Sequence, residues 1–321
     1  IAGYNAWATA IGATAGHTQN IAALNAIATK LAATGGPFTT DIAALNAIAN
    51  KLGDSSPDYA LTIDALNYIA ANPSAGGGTP WVPTDLSSLV ALYVADRQTT
   101  ADNVTIPQIT DWKGTAHFTS GAFWPTLVYN VLNGKKVFRF NQDLATNATG
   151  LMNGATAGSY FAVVKVTGDP AASTNTCGPT LGGFTASGTD GHFPFTDGTI
   201  YEAFGSTTRQ SYNPVPLLTS WRIYSVHSAA GDYRAYLDGS PIFTTATNTV
   251  GFGTGTRYMG RHSTGTANYL DGDVAEISIL NSVMTTTERQ KMEGYLAHTY
   301  GLAANLPAGH PYKSSPPTSG S

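Results

Sequence analysis

The sequence predicts a mainly β protein, a β-sandwich or jelly roll over residues 81–312, preceded by an N-terminal α-helical repeat region over residues 1–71. Three observations carry this prediction. Four near-copies of one octapeptide occur in the first 71 residues with apolar side chains at helical spacing. The segment Asn72 to Pro80, NPSAGGGTP, interrupts all periodicity and reads as a linker. From Trp81 onward, short β-rich runs recur between turn signals, as two packed antiparallel sheets require.

The repeats are IAGYNAWA at Ile1, IAALNAIA at Ile21 and again at Ile42, and IDALNYIA at Ile63, spaced 20, 21 and 21 residues apart. Ile21, Leu24, Ile27 and Leu31, then Ile42, Leu45, Ile48 and Leu52, form apolar stripes at spacings of three and four, so each unit is read as one helix. Helices this short are marginal alone in water, and the stripes must be buried against each other, the β domain or another chain. That favours a role in assembly. The repeated Asn5, Asn25, Asn46 and Asn67 are read as polar positions in a small-residue helix interface, since a lone repeated amide has no catalytic partner.

In the β region, Val90 to Val94, Lys136 to Phe140, Tyr160 to Val166, Trp221 to Ser228, Tyr233 to Leu237 and Val274 to Leu280 are expected strands. Asn133-Gly134, Asp190-Gly191, Asp197-Gly198, Asp238-Gly239 and Asp271-Gly272 are expected tight turns. Near the end, Thr285 stands three residues before Glu288, a capping-box spacing, and Met292, Tyr295, Leu296, Thr299 and Tyr300 share one side of a helix that Gly301 ends. Residues 313–321 are expected to form a flexible tail.

Composition narrows the function. Only 11% of the 321 residues are charged, and sixteen basic against twenty acidic residues give a net charge of -4. The basic residues form no run longer than Lys135-Lys136, which speaks against nucleic acid as a partner. Cys177 is the single cysteine, so neither an intrachain disulfide nor a cysteine zinc site is expected. No apolar run approaches the roughly 20 residues that span a bilayer, and membrane insertion is not expected.

Leu270-Asp271-Gly272-Asp273-Val274-Ala275-Glu276-Ile277, the helix ending Glu293-Gly294-Tyr295-Leu296-Ala297, and Gly301-Leu302 followed by Leu306-Pro307-Ala308-Gly309-His310-Pro311-Tyr312 together resemble the C-terminal part of laminin-G-like, concanavalin A-like jelly-roll domains, especially those of bacteriophage fibre and spike proteins. Leu89 to Ala95 with Trp112, Pro125 to Phe140, and Tyr233 to Gly239 are similar to earlier hairpins of the same family, so the resemblance covers about Trp81 to Tyr312. The helical repeats lie outside it.

Enzymes on that fold include glucanases with closely spaced carboxylates on one strand. This chain has four Glu, of which only Glu202 and Glu276 fall on the expected sandwich, and it has no Glu-x-Asp-x-Glu pattern. Asp271 and Asp273 flank a glycine, which suits a turn; weak calcium binding there is the lesser alternative, and no cofactor is favoured. Glu276 is read as structural. The seven histidines are scattered without metal-ligand spacing, and no nucleophile elbow or phosphate loop is present. The chain is therefore expected not to be an enzyme.

Sugar binding suits the residues better, because it needs aromatic platforms with a few polar side chains on loops. Asp190 to Asn213 concentrates such residues, and the expected ligand-binding set is His192, Asp197, Tyr201, Glu202, Phe204, Arg209, Tyr212 and Asn213. The competing role of its aromatics is to fill the core between the sheets. The combined expectation is a virion surface protein, a phage head fibre, spike or tail fibre subunit. Its repeats would contact other virion subunits in a homo-oligomer such as a trimer, and its jelly roll would adhere to host-surface glycan. A bacterial secreted or surface carbohydrate-binding module is the alternative, and a glycan hydrolase on the same fold comes third.

Overall fold

The structure is a computed structural model that describes residues 80–120, 124–147, 150–168, 179–186, 191–213, 216–262 and 269–320. The four repeats and residues 72–79 of the expected linker lie outside the described residues. Val82–Pro316 forms one compact unit; a second contains Ile1–Trp81 and Pro317–Ser321. Within that second unit, Pro80 bridges Thr318 and the Trp81 amide donates to the Pro317 carbonyl.

The larger unit is mainly β, as expected. Its first strands are β1 (Leu89–Val94), β2 (Val104–Thr105), β3 (Gln108–Ile109), β4 (Phe118–Ser120), β5 (Thr126–Leu132), β6 (Lys135–Asp143), β7 (Ala145–Asn147) and β8 (Ala157–Val166). There follow β9 (Leu181–Gly182), β10 (Ile200–Glu202), β11 (Gln210–Tyr212), β12 (Arg222–Ala229), β13 (Asp232–Leu237), β14 (Ser240–Thr245), β15 (Arg257–Met259) and β16 (Leu270–Leu280), then helix α1 (Thr286–Thr299). A nine-stranded antiparallel sheet runs β14-β13-β12-β8-β16-β6-β5-β2, with β1 also on β16; a five-stranded sheet runs β3-β4-β7-β15-β9; β10 and β11 form a hairpin.

The long strand β16 organises the large sheet. One edge pairs with β8 along its length, while the other pairs first with β6 and then with β1. A register shift between Val274 and Glu276 resets its alternation. Val274, Ile277 and Ile279 therefore enter the core, and Glu276 turns to the opposite face. Tyr160, Ala162 and Val164 of β8 and Phe138 and Phe140 of β6 join them, packed with Phe118, Ala145, Leu181 and Met259 of the small sheet. The Tyr93 and Phe118 rings meet edge-on at 5.0 Å across this layer. Each fully buried aliphatic or aromatic side chain contributes about 1.5–3 kcal/mol.

Two expected turns close hairpins. Asn133-Gly134 and Asp238-Gly239 each hold both residues at positive φ, the geometry that joins twisted antiparallel strands tightly. Asp271-Gly272 does not turn. Both residues lie inside β16, paired with β6, and the expected turn is corrected to a strand interior. Glycine is needed there because a Cβ at Gly272 would stand 2.2 Å from the Lys165 carbonyl oxygen of β8.

Helix α1 covers part of the outer face of the large sheet. The Thr285 hydroxyl accepts from the Glu288 amide at 3.2 Å and the Glu288 carboxylate accepts from the Thr285 amide at 2.9 Å, completing the expected box. Gly301, with φ of 71°, lets the Leu302 amide reach back to the Ala297 carbonyl and stop the helix. Met292, Leu296 and Tyr300 are buried beneath it, whereas Tyr295 is half-buried. The expected flexible tail has ordered contacts at its start, where Lys313 Nζ donates to the Ala304 carbonyl at 2.9 Å.

Candidate functional site

Where α1 does not cover the large sheet, its outer face is open, and three adjacent strands there carry polar residues at spacing two. These are Arg139 and Asn141 on β6, Asp271 and Asp273 on β16, and Lys165 on β8 with Thr167 just beyond it. Side chains alternate along a strand, so each pair shares one face. The register then places Asp273 directly between Arg139 and Lys165. Arg139, Asn141, Lys165, Thr167, Asp271 and Asp273 line an open groove of about 460 Å³ with Thr219, and Phe140 and Val166 complete its lining. That volume is within the ~300–1,000 Å³ of small-molecule sites.

The groove floor is fixed by ion pairs. Arg139 donates from Nε at 2.7 Å and from Nη2 at 3.0 Å to the two carboxylate oxygens of Asp273, and Lys165 Nζ stands 3.5 Å from the second of them. The Asp273 side chain is only 4% exposed, against 43% for Arg139 and 31% for Lys165. The carboxylate is thus the buried anchor, and the cations are the groups presented to solvent. The bond to Asp273 raises the Arg139 pKa and keeps the guanidinium charged. Behind Lys165, the half-buried Trp221 ring has Nζ 5.4 Å from its centroid. The wall bearing Thr219 is tied to β8 by the Val166 amide, which donates to the Leu218 carbonyl at 2.9 Å, and the Thr167 amide donates to the Asp271 carbonyl at 2.9 Å.

This arrangement bears on the calcium alternative. Calcium needs several oxygen ligands on one ion, and both oxygens of Asp273 already accept from cationic side chains. Among the described residues, no group of three or more His, Cys, Asp or Glu could hold a metal ion.

The residues expected to bind ligand from Asp190 to Asn213 are divided by the structure. Glu202, Phe204 and Tyr212 belong to the core, at 4%, 2% and 7% exposure, and are withdrawn as ligand contacts. The Glu202 carboxylate accepts from the Tyr160 hydroxyl at 2.5 Å, the Tyr224 hydroxyl at 3.2 Å, and the amides of Ala203 and Phe204. Burial nonetheless raises its pKa, and it raises those of Tyr160, Tyr212 and Tyr224 far more. Tyr212 also stacks on Phe243, so the aromatic density of this stretch is core packing, the competing role named above.

His192 is likewise buried, and its main chain exchanges two hydrogen bonds with Tyr201. Tyr201 is half-buried, with the Arg209 guanidinium 4.4 Å over its ring and Phe195 edge-on at 5.5 Å. With Arg209 over one ring face and Phe195 against its edge, little of this aromatic is left as a platform for sugar. Asp197 is exposed and accepts from the Thr199 amide at 2.9 Å, closing its own turn. Asn213 is exposed one residue past β11, and the chain from there returns to the groove wall at Thr219. Of the expected set, the structure brings His192, Tyr201 and Arg209 together and sends Glu202, Phe204 and Tyr212 into the core. The groove residues that sequence reasoning missed had one visible signal, the polar pairs at spacing two on otherwise apolar strands.

No protein-family model matches this sequence, and no curated protein sequence matches it. Similar solved structures exist at low identity. Trypanosoma rangeli sialidase in complex with a difluoro sugar acid matches with a TM-score of 0.44 and 14% identity, over 72% of this chain and 38% of that one. The receptor-binding domain of botulinum neurotoxin mosaic serotype C/D matches at 0.46 and 11%, over 64% and 50%. Domain 4 of AbnA, a GH43 extracellular arabinanase from Geobacillus stearothermophilus in complex with arabinotriose, matches at 0.44 and 16%, over 63% and 96%. At these scores the likeness assigns neither family nor activity. One expectation is nevertheless corrected: sialidases stand among the similar structures, so the conclusion that the chain is not an enzyme is withdrawn. These comparisons lend nothing to a phage origin, and the repeats that suggested a virion lie outside the described residues.

Proposed function

We propose that residues 82–316 form a carbohydrate-binding β-sandwich of the jelly-roll type, with the ligand seated in the groove over β6, β16 and β8. The observation that carries this reading is the Arg139–Asp273–Lys165 row, a set of partly exposed donors locked by a buried carboxylate, with the uncharged Asn141, Thr167 and Thr219 around it. Sugar hydroxyls need donors and acceptors fixed at the site. A rigid sheet supplies the donors without a large ordering cost, because their rotamers are already held.

A panel of oligosaccharides titrated by calorimetry against the whole chain tests the reading. Arg139→Ala should weaken binding at least tenfold and also lower the melting temperature, because it strips the buried Asp273 carboxylate of its bidentate partner. Thr219→Ala, on the exposed groove wall, should weaken binding with the melting temperature little changed. Binding that survives both substitutions would place the ligand elsewhere.

A second reading, hydrolysis, is favoured by one observation. Asp271 and Asp273 both line the groove from β16. Two positions along a strand are about 6.8 Å, near the ~6.5–9.5 Å between carboxyl groups of inverting glycosidases. The engagement of Asp273 by two cations ranks this reading second. Reducing ends released on incubation with a bound glycan, and lost in Asp271→Asn, would establish it.

A further inference from the structure

The charges of the groove point to the class of sugar it takes. Two cations, Arg139 and Lys165, line it with two carboxylates, Asp271 and Asp273. Both cations face the same Asp273 carboxylate, at 2.7 and 3.5 Å. A site for carboxylated or sulfated sugars presents cations in excess, because a charged ligand must be repaid for its lost hydration by groups not already neutralised nearby. Here the formal charge of the lining balances. The outward donors of Arg139 remain available for hydrogen bonds, since its pairing to Asp273 uses Nε and Nη2. The remaining polar lining, Asn141, Thr167 and Thr219, is uncharged and exposed.

We infer that the ligand of this groove is a neutral, hydroxyl-rich glycan rather than an acidic one. The inference rests on the carbohydrate-binding reading above and sharpens it. The ion pairs act as preset, charge-assisted donors and acceptors for hydroxyl groups, and they create no net field to draw an anion. Binding should consequently change little with salt, because screening acts on net charge between ligand and site. Removing one carboxylate should reverse the preference, since Arg139 and Lys165 would then exceed the remaining acid.

The test titrates the whole chain with matched neutral and acidic oligosaccharides, the acidic set carrying carboxylate or sulfate, at low and at high salt. The wild-type protein is expected to bind members of the neutral set, with Kd changing less than about twofold between the two salt conditions. Asp273→Asn should gain about fivefold or more for an acidic member, and that gain should vanish at high salt. Asp271→Asn, at a less buried position, provides the same reversal where Asp273→Asn fails to fold. Wild-type binding confined to acidic sugars, with loss in Arg139→Ala, would overturn the inference and leave the groove reading standing. Absence of binding to either set would overturn the groove reading itself.

Discussion

The Tyr300 hydroxyl at the end of α1 donates to the Glu276 carboxylate of β16 at 2.8 Å, between the helix and the large sheet. Both residues are 1% exposed. Burial pushes the Glu276 pKa up to about 7 from 4.5, although the Tyr300 bond and the charges of Arg97 and Lys135 act in the opposite direction. Ser278 also lowers it slightly by proximity, short of a well-formed hydrogen bond. Between those two values the folded protein holds a proton that the unfolded chain releases. Stability is therefore full below pH 4.5 and falls as pH rises through about 7, by roughly 3 kcal/mol in all. Glu276→Gln should remove this decline and stabilise the protein at pH 8 while changing little at pH 4.5. Urea unfolding at the two pH values measures it.

His227, on the same sheet face, predicts the opposite slope at acid pH. Its Nδ1 lies 2.8 Å from Ser159 Oγ, whose proton goes to the Ser282 carbonyl, so Nδ1 is the protonated nitrogen. Burial, followed by the charges of Arg234 and Arg289, pushes the His227 pKa down to about 3 from 6.5. The unfolded chain binds the extra proton first, so stability is full above pH 6.5 and is lost as pH falls toward 3, by roughly 5 kcal/mol. From about pH 4.5 to 6.5 the Glu276 and His227 slopes oppose each other, and their combined contribution is flat. His227→Gln, which keeps a donor for Ser159, should flatten the acid limb alone in acid-unfolding curves.

Arg257 on β15 is fully buried and ties three segments to one side chain. It donates to the carbonyls of Leu151 at 2.8 Å and Gly255 at 3.3 Å, to Asn153 Oδ1 at 2.6 Å, and to the carbonyls of Gly183 and Gly253. Its guanidinium also sits 4.9 Å from the Phe184 ring centroid. Lysine keeps the charge but cannot fork to these acceptors, and each buried carbonyl left without a donor costs about 1–3 kcal/mol. Arg257→Lys should therefore lose at least 3 kcal/mol in urea unfolding, with the groove about β16 still competent to bind in the folded fraction.

Much of the fold is legible in the sequence because its signals are local. The apolar runs around Tyr160, Trp221, Tyr233 and Val274, the Thr285–Glu288 box and the Asn133-Gly134 hairpin each depend on neighbours a few residues away. Asp271-Gly272 misled for the same reason: it is the dipeptide that turns the chain at Asp238-Gly239. Only the approach of the β8 backbone to Gly272 distinguishes the two, and that contact is remote in sequence. Val274 and Ile277, three apart, break the simple alternation that the run suggests, and the structure accommodates them with a bulge between Val274 and Glu276. The groove was hidden because Arg139, Lys165 and Asp273 become neighbours only through strand order. The aromatic wealth of residues 190–213 was equally ambiguous, since Phe204 and Tyr212 have the same composition whether they face sugar or fill the core.

Gly272 joins strand geometry to the groove, and its substitution separates the two roles. A Cβ there would meet the Lys165 carbonyl oxygen at 2.2 Å and the Val166 Cα at 2.8 Å, both backbone atoms that cannot rotate away. The β16–β8 ladder would have to part locally, at about 1–3 kcal/mol for such overpacking. Asp273 and Lys165 flank that point on the paired strands, so their 3.5 Å approach should lengthen. Gly272→Ala is accordingly expected to lower stability and to weaken glycan binding together. Gly309→Ala, whose Cβ would meet nothing within 4 Å, should leave both within error. A Gly272→Ala protein as stable as the wild type would mean that β8 and β16 can separate at this point without loss. One that is destabilised yet binds normally would detach the Asp273–Lys165 pair from ligand recognition.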